Sequence, residues 1–279
     1  MSNSNKKETL ISSKKSFLNL ELKELYSFKD LFITLSIREY KVRYAQTFLG
    51  FIWALIQPII TVIIFTIIFG RAIKVDTGNV PYEIFALTGM TAWAYFAFVV
   101  SNSGKSLISD AEMIKKIYYP RLITPLSKAL VGLIDFTITF VILTVLMICY
   151  SVDFSPNIIW LPFFILMVLI TALGFGIWIS ALTIRYRDFQ HITPFIIQIG
   201  LYATPIAYSS LYIPEKYLLP YYILNPMVGA VEGFRWCIIG QINTSPHPYI
   251  FVSFSVVLLI FISSIFYFKK TEKVMADII

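Results

Sequence analysis

The chain has 279 residues, of which 57% are hydrophobic and 14% charged, and a formal net charge of +7. Soluble domains carry about 25% charged residues, so the composition excludes a soluble core with an anchor and describes one polytopic membrane domain of mean hydropathy +0.75. The positive charge is no nucleic-acid footprint, because apart from Arg71, Lys74, Lys216 and Arg235 every Lys and Arg falls in the first 47 residues, in 102–128, in 184–191 or in the C-terminal tail.

Six stretches are apolar enough to cross a bilayer: 48–70, 84–101, 122–150, 158–183, 192–212 and 248–268. A hydrocarbon core about 30 Å thick takes about 20 residues of helix. Every backbone polar group must be satisfied inside it, so the spans are helices. The expected fold class is an all-α polytopic membrane protein with six transmembrane helices. Six crossings put both termini and the basic loops on one side, and the excess of Lys and Arg marks that side as cytoplasmic.

Taken in chain order, residues 1–16 are rich in Ser, Lys and Asn and predict a disordered tail. Residues 17–47 predict an amphipathic helix lying on the membrane, with Phe28, Leu31, Phe32 and Leu35 at helical spacing and Arg38, Glu39, Lys41 and Arg43 supplying charge. No apolar stretch precedes a small-residue cleavage site within residues 1–30, so the first span is expected to remain in the mature protein. That span carries Gly50, Trp53, Gln57 and Thr61 on one face. Such a stripe suits either helix packing or a pore.

Residues 107–118 have mixed charge around Leu107, Ile108, Ala111, Ile114 and Ile117, which predicts a short amphipathic helix outside the bilayer. An exposed helix of this kind can dock on a partner. Asp135 lies inside the third span, where an acid is a functional hypothesis by default. Lys128 lies two turns earlier on the same face. An internal ion pair or a hydrogen-bonded acid accounts for Asp135, and a proton relay would want more acids or His in neighbouring spans. The fifth span puts Gln198, Tyr202 and Pro205 on one stripe, with a kink at Pro205. Residues 213–247 are broken by Pro214, Pro220 and Pro226, and predict two short helices dipping into the outer leaflet on either side of Asn225-Pro226. Residues 269–279 form a tail.

Catalytic chemistry is not legible. Gly104-Lys105-Ser106 imitates the end of a phosphate-binding loop, but Val99 stands where that loop needs glycine and no strand precedes it. Cys149, Cys237, His191 and His247 show no metal-ligand spacing. Aromatic residues are abundant, with 17 Tyr and 24 Phe, and many suit interfacial belts. Trp93, Tyr95, Phe96 and Phe98 cluster on the second span, with Tyr202 and Tyr208 on the fifth. If these rings line a lumen, they offer flat surfaces on which sugar rings can stack and slide.

The block from Arg38-Glu39-Tyr40 to Arg43-Tyr44, then Thr47 to Gly50 and Trp53 to Gln57-Pro58, resembles the permease subunit of polysaccharide ABC exporters. This is the type-2 ABC exporter family of O-antigen, capsule and teichoic-acid transporters. Lys115-Lys116-Ile117-Tyr118-Tyr119-Pro120-Arg121, Arg185-Tyr186-Arg187-Asp188-Phe189 and Tyr222-Ile223-Leu224-Asn225-Pro226 match its pattern too.

The resemblance implies a homodimer joined to two copies of a separate nucleotide-binding ATPase, which would bind the ATP and Mg; no cofactor is expected in this chain, and it is not expected to be an enzyme. It implies a coupling helix at 107–118, with Asp110, Glu112, Lys115 and Lys116 meeting the ATPase. It also implies an interface helix at 17–47 and external gate helices at 214–240, around the six-span domain of 48–268. The pore would lie between protomers, with Trp53, Gln57, Trp93, Tyr95, Phe96, Gln198 and Tyr202 as candidate glycan contacts. Arg38, Arg43 and Arg185 would meet the pyrophosphate of a lipid-linked polysaccharide. The expected location is the inner (plasma) membrane, with both termini cytoplasmic. The rival expectations are a permease for drug- or haem-type small molecules and a proton-coupled transporter.

Overall fold

The structure, a computed structural model, describes residues 22–45, 52–78, 80–240 and 248–278. The expected tail of 1–16, the start of the first span and the stretch 241–247 lie outside these residues. All regular structure among the described residues is helical. Two helices precede the bundle, α1 (Leu22–Ser27) and α2 (Lys29–Ala45). The first span is α3 (Ile52–Phe65), continued by a π-helical turn over Thr66–Ala72. The rest are α4 (Tyr82–Ser109), α5 (Ala111–Lys116), α6 (Ile123–Cys149), α7 (Leu161–Arg185), α8 (Phe189–Ala203), α9 (Glu215–Leu224), α10 (Met227–Ile239) and α11 (Ile250–Ile278).

The long helix α4 is the axis of the bundle. It packs on α6, α7, α8 and α10, while α11 lies against the far side of α7. Small residues let these helices approach, as is common where lipid supplies no hydrophobic drive between helices. A Cβ added at Gly176 of α7 would stand 2.8 Å from Ser103 Cβ of α4, and one at Gly104 would stand 2.7 Å from an Ile179 methyl. Several threonine hydroxyls buried in this core are satisfied within their own helices, while Ser103 Oγ donates across to Pro125 O of α6. Thr88, Thr91, Thr171 and Thr183 each donate to the carbonyl four residues earlier. By contrast α3 and the π-helical turn after it point Ile59, Ile60, Ile63, Ile64, Ile67 and Ile68 outward, and α11 turns out Phe251, Leu259, Ile262 and Phe266. Apolar exposure on this scale marks a surface meant for lipid or for another protein.

Among the described residues five helices are long and apolar enough to cross a membrane: Ile52–Ala72, Tyr82–Ser109, Ile123–Cys149, Pro156–Arg185 and Ile250–Glu272. In the fifth stretch read from the sequence, 192–212, the 15-residue helix α8 ends at Ala203 and the residues after it are not α-helical. That helix is about 22 Å long, at 1.5 Å per residue. It stops because Pro205 clashes with a preceding residue in helical conformation; Thr204 is extended, with φ −95° and ψ 144°.

The N-terminal segment also departs from the expected single surface helix. It bends at Phe28 between α1 and α2. The stripe Phe28, Leu31, Phe32 and Leu35 is turned onto protein. It packs with Met113, Ile114, Tyr119 and Ile123 into a small second core, which meets the main one at Ile114. Ile33, Ile37 and Val42 are left exposed on the other side of α2. The helix expected at 107–118 is divided as well: Leu107 to Ser109 finish α4, the chain turns at Asp110, and the separate helix is only Ala111–Lys116.

Candidate functional site

The strongest concentration of chemistry is an ionic junction where α2 crosses α4 and α6. Helix α2 presents Arg38 and Glu39 on one turn and Arg43 and Tyr44 on the next. Helix α6 presents Lys128 and, two turns on, Asp135. Asp110 stands at the joint where α4 gives way to α5, and its carbonyl accepts the Met113 and Ile114 amides that start α5.

Arg38 Nη2 lies 2.9 Å from Glu39 Oε1 and also makes an ion pair with Asp110. Its Nη1 approaches Met113 Sδ at 3.7 Å. Lys128 is 5% exposed, and its Nζ lies 2.8 Å from Glu39 Oε1 and 3.5 Å from Asp110 Oδ2. One turn along α2, Arg43 Nη1 meets Asp135 Oδ2 at 2.6 Å, and the Tyr44 hydroxyl donates to Asp135 Oδ1. The Arg43 guanidinium lies over the Phe98 ring of α4, 4.4 Å from its centre. A cavity of about 350 Å³ opens among Glu39, Val42, Arg43, Phe98, Asn102, Lys128 and Val131.

Three cations and three carboxylates therefore balance. Burial opposes the charge on Glu39, but hydrogen bonds and attraction from Lys128 and Arg38 outweigh it and hold its pKa below the usual carboxylate value. Burial likewise works against the charge on Arg38. Its hydrogen bonds to Glu39 and Asp110 prevail, and its pKa is raised.

The sequence leaves Asp135 as an internal ion pair or a hydrogen-bonded acid, with Lys128 two turns earlier on its face; in the structure its partners are Arg43 and Tyr44, while Lys128 goes to Glu39 and Asp110. Helix α2 lies across α6 and intercepts both charges, which a one-helix argument misses.

A second polar site closes the break after α8, where the chain frees backbone carbonyls inside an apolar protein. Tyr221 donates its hydroxyl to Ala203 O at 2.8 Å. Arg235 Nη2 donates to Pro205 O at 2.9 Å and Ile206 O at 3.2 Å, and Tyr82 donates to Ala207 O at 3.0 Å. Asn225 Nδ2 reaches Thr204 Oγ1 at 2.9 Å. Arg235 is fully buried, lies 3.2 Å from Glu232 Oε1 and stacks 3.8 Å from the centre of the Phe85 ring. Glu232 and Arg235 stand three apart in the sequence, and a charge pair inside an otherwise apolar helix is the signal that could have marked this site.

The other expected site residues divide into three groups. Trp53, Gln57, Gln198 and Tyr202 are exposed on α3 and α8, open to a partner or a lumen. Trp93, Tyr95 and Phe96 are buried within the protomer. Tyr95 donates to Ala129 O and meets the edge of Phe136; Phe96 meets the edge of Phe175; and a Cβ at Gly200 would strike the Trp93 ring at 2.6 Å. In this arrangement those three rings build the joints of α4 with α6, α7 and α8. The cluster was legible as aromatic, but its direction was not.

Around the expected coupling helix, Glu112, Lys115 and Lys116 are exposed and weakly paired with one another, at 3.9 and 4.0 Å, whereas Asp110 is 7% exposed inside the junction. Of the three arginines expected at a pyrophosphate, Arg38 and Arg43 are taken by carboxylates. Arg185 is exposed beside Tyr186, with no carboxylate partner among the described residues.

An all-helical bundle with five long apolar helices and wide apolar faces is an integral membrane protein. The chain belongs to the ABC-2 type transporter family of membrane proteins, whose pattern matches residues 30–239. It is 28% identical over 253 residues to an O-antigen export system permease protein RfbA of Klebsiella pneumoniae, covering 90% of this chain and 95% of that one. It is 26% identical over 253 residues to RfbA of Myxococcus xanthus, covering 90% and 96%. Similarity extends to the capsule polysaccharide export inner-membrane protein CtrC of Neisseria meningitidis, 23% identical over 231 residues, covering 81% and 86%.

Proposed function

We propose that this chain is the permease subunit of an ATP-driven exporter that moves a lipid-linked polysaccharide across the inner membrane. The observation that carries the reading is the near end-to-end similarity to O-antigen export permeases, with a capsule exporter next among the relatives. Nothing among those relatives favours a small-molecule cargo. Two copies of the chain pair through exposed apolar faces of the bundle, with Trp53, Gln57, Gln198 and Tyr202 turned toward the shared passage. Two ATPase subunits dock on α5 through Glu112, Lys115 and Lys116. Arg185, at the end of α7, is the cation still open to a pyrophosphate.

Helix α8 and the irregular residues 204–209 complete a sixth crossing, which keeps both termini cytoplasmic. Non-helical backbone is tolerated at membrane depth when it is buried in protein and its carbonyls are met, and the side chains of Tyr221, Arg235 and Tyr82 do this here. Helices α9 and α10 form the external gate.

The test is complementation. In a strain that lacks its own O-antigen permease, this chain and its cognate ATPase should restore polymer at the cell surface, and an ATPase dead in hydrolysis should not. Transport of cargo by the purified chain in vesicles with no ATPase present would overturn the proposal.

A further inference from the structure

We propose that Asp135 is a positioning residue for transport, the receiving end of a lever whose arm is α2 and whose input is the joint at Asp110. The inference rests on α5 being the seat of the ATPase.

Two arrangements tie α5 to α2 and to the start of α6. The first is the small second core, in which side chains of α2, α5 and α6 pack together. The second is the charge pattern. Asp110 begins α5, and its carboxylate is held by Arg38 of α2 and Lys128 of α6. Ser36 adds a buried hydrogen bond across to Ser127 O. A push on α5 therefore cannot be absorbed locally, because Asp110 takes Arg38 with it.

The same helix then grips the membrane domain a second time. Arg43 lies five residues beyond Arg38, about 7.5 Å along the axis at 1.5 Å per residue. Arg43 and Tyr44 together hold Asp135 of α6. An acid within a span is expensive and must be paired. Lys128 was available on the acid's own helix. Instead both charges of α6 are given to α2, so sliding α2 against α6 would strand a carboxylate and an ammonium at once. Displacement of α5 is thus delivered to α6 at Asp135, next to Phe98 of the central helix α4, over which the Arg43 guanidinium lies. This use of Asp135 needs no proton movement and no further acid in the neighbouring spans.

The experiment uses the full complex of permease and ATPase, with three readouts: co-purification of the ATPase, ATP hydrolysis, and polymer export in cells. In Asp135→Asn the ATPase should still co-purify and hydrolyse ATP, while export falls about tenfold, within the range of coupling energies between distant sites. The swapped pair Arg43→Asp with Asp135→Arg should recover most of the export, which separates lost coupling from lost folding. Wild-type export by Asp135→Asn overturns the lever. So does a swapped pair that folds and assembles yet stays as poor as the single variant. If instead the wild-type chain fails to retain any ATPase, the reading of α5 has failed rather than the lever.

Discussion

The junction of α2 with α4 and α6 and the clasp around Arg235 are both made of charge in an apolar protein, yet they are built on opposite plans. At the junction six charges from three stretches of chain balance one another, several stay partly exposed, and a cavity of about 350 Å³ adjoins them. At the clasp a single fully buried arginine is held by one carboxylate, two carbonyls and an aromatic face. The junction links helices that carry their own small core, so it can move as a unit. The clasp is tied to backbone and cannot shift without orphaning carbonyls. Charge thus serves at one end as a transferable grip and at the other as a permanent tie.

The sharpest way to break this contrast is Arg235→Ala. Removing one partner of a buried pair costs about 3–5 kcal/mol, because the other charge is left uncompensated, and here Glu232, Pro205 O and Ile206 O all lose a partner. The variant should be lost from the membrane or melt far earlier in detergent, followed by fluorescence-detected size exclusion after heating. A protein as stable as the parent would mean that the break after α8 is held by something else.

Next in size is Gly233→Ala on α10. A Cβ there would lie 1.8 Å from Phe164 Cε1, and overpacking a fitted core costs about 1–3 kcal/mol. Phe164→Ala in the same chain should return part of that loss. If the double variant is no better than the single one, the clash is not what limits the packing of α10 on α7.

Most helices of this fold could be located from hydropathy alone, because a bilayer-length apolar run has few alternatives. Helix α8 shows the limit of that argument. Its apolar run continues past Ala203, but Thr204-Pro205 stops the helix, and the carbonyls so released are met from residues 18 to 30 positions later and, by Tyr82, from 125 positions earlier. Composition carries no trace of partners that far apart. The junction was half legible. Arg38, Arg43, Asp110 and Asp135 were each singled out, but their pairings depend on how α2 lies across α6, which no single-helix periodicity reports. The direction of Trp93, Tyr95 and Phe96 was illegible for a related reason, since an aromatic cluster looks the same in sequence whether it faces a lumen or the neighbouring helix.

The junction should respond to pH through Glu39. Glu39 is held below the usual carboxylate pKa by Lys128 and Arg38. A lowered folded-state value means that its contribution is fully present above the unfolded value, about 4.3, and fades as pH falls through the folded one. Melting temperature followed downward from neutral pH should therefore drop less in Glu39→Gln than in the parent once pH passes below that range. Equal slopes would show that Glu39 does not anchor α2 in solution.

The smallest expected effect on stability lies at Glu112 and Lys115, and it is the most informative about what the junction is for. Both side chains are exposed on α5, and their mutual contact is at the 3.9 Å edge of an ion pair. An exposed i, i+3 pair of this kind is worth a few tenths of a kcal/mol at most. Glu112→Arg and Lys115→Glu should thus melt within about 0.5 kcal/mol of the parent, as surface substitutions do. If α5 is where the ATPase sits, the same substitutions reverse the charge it meets and should lower polymer export and ATPase co-purification together. Asp110, one residue before α5, should behave in the opposite way. Asp110→Asn leaves the outer face of α5 intact but weakens the grip of Arg38 and Lys128, so the ATPase stays bound while export falls. Co-purification and export that fall in parallel for all three variants would merge docking and transmission into one surface, and the distinction between the face of α5 and the joint beneath it would be gone.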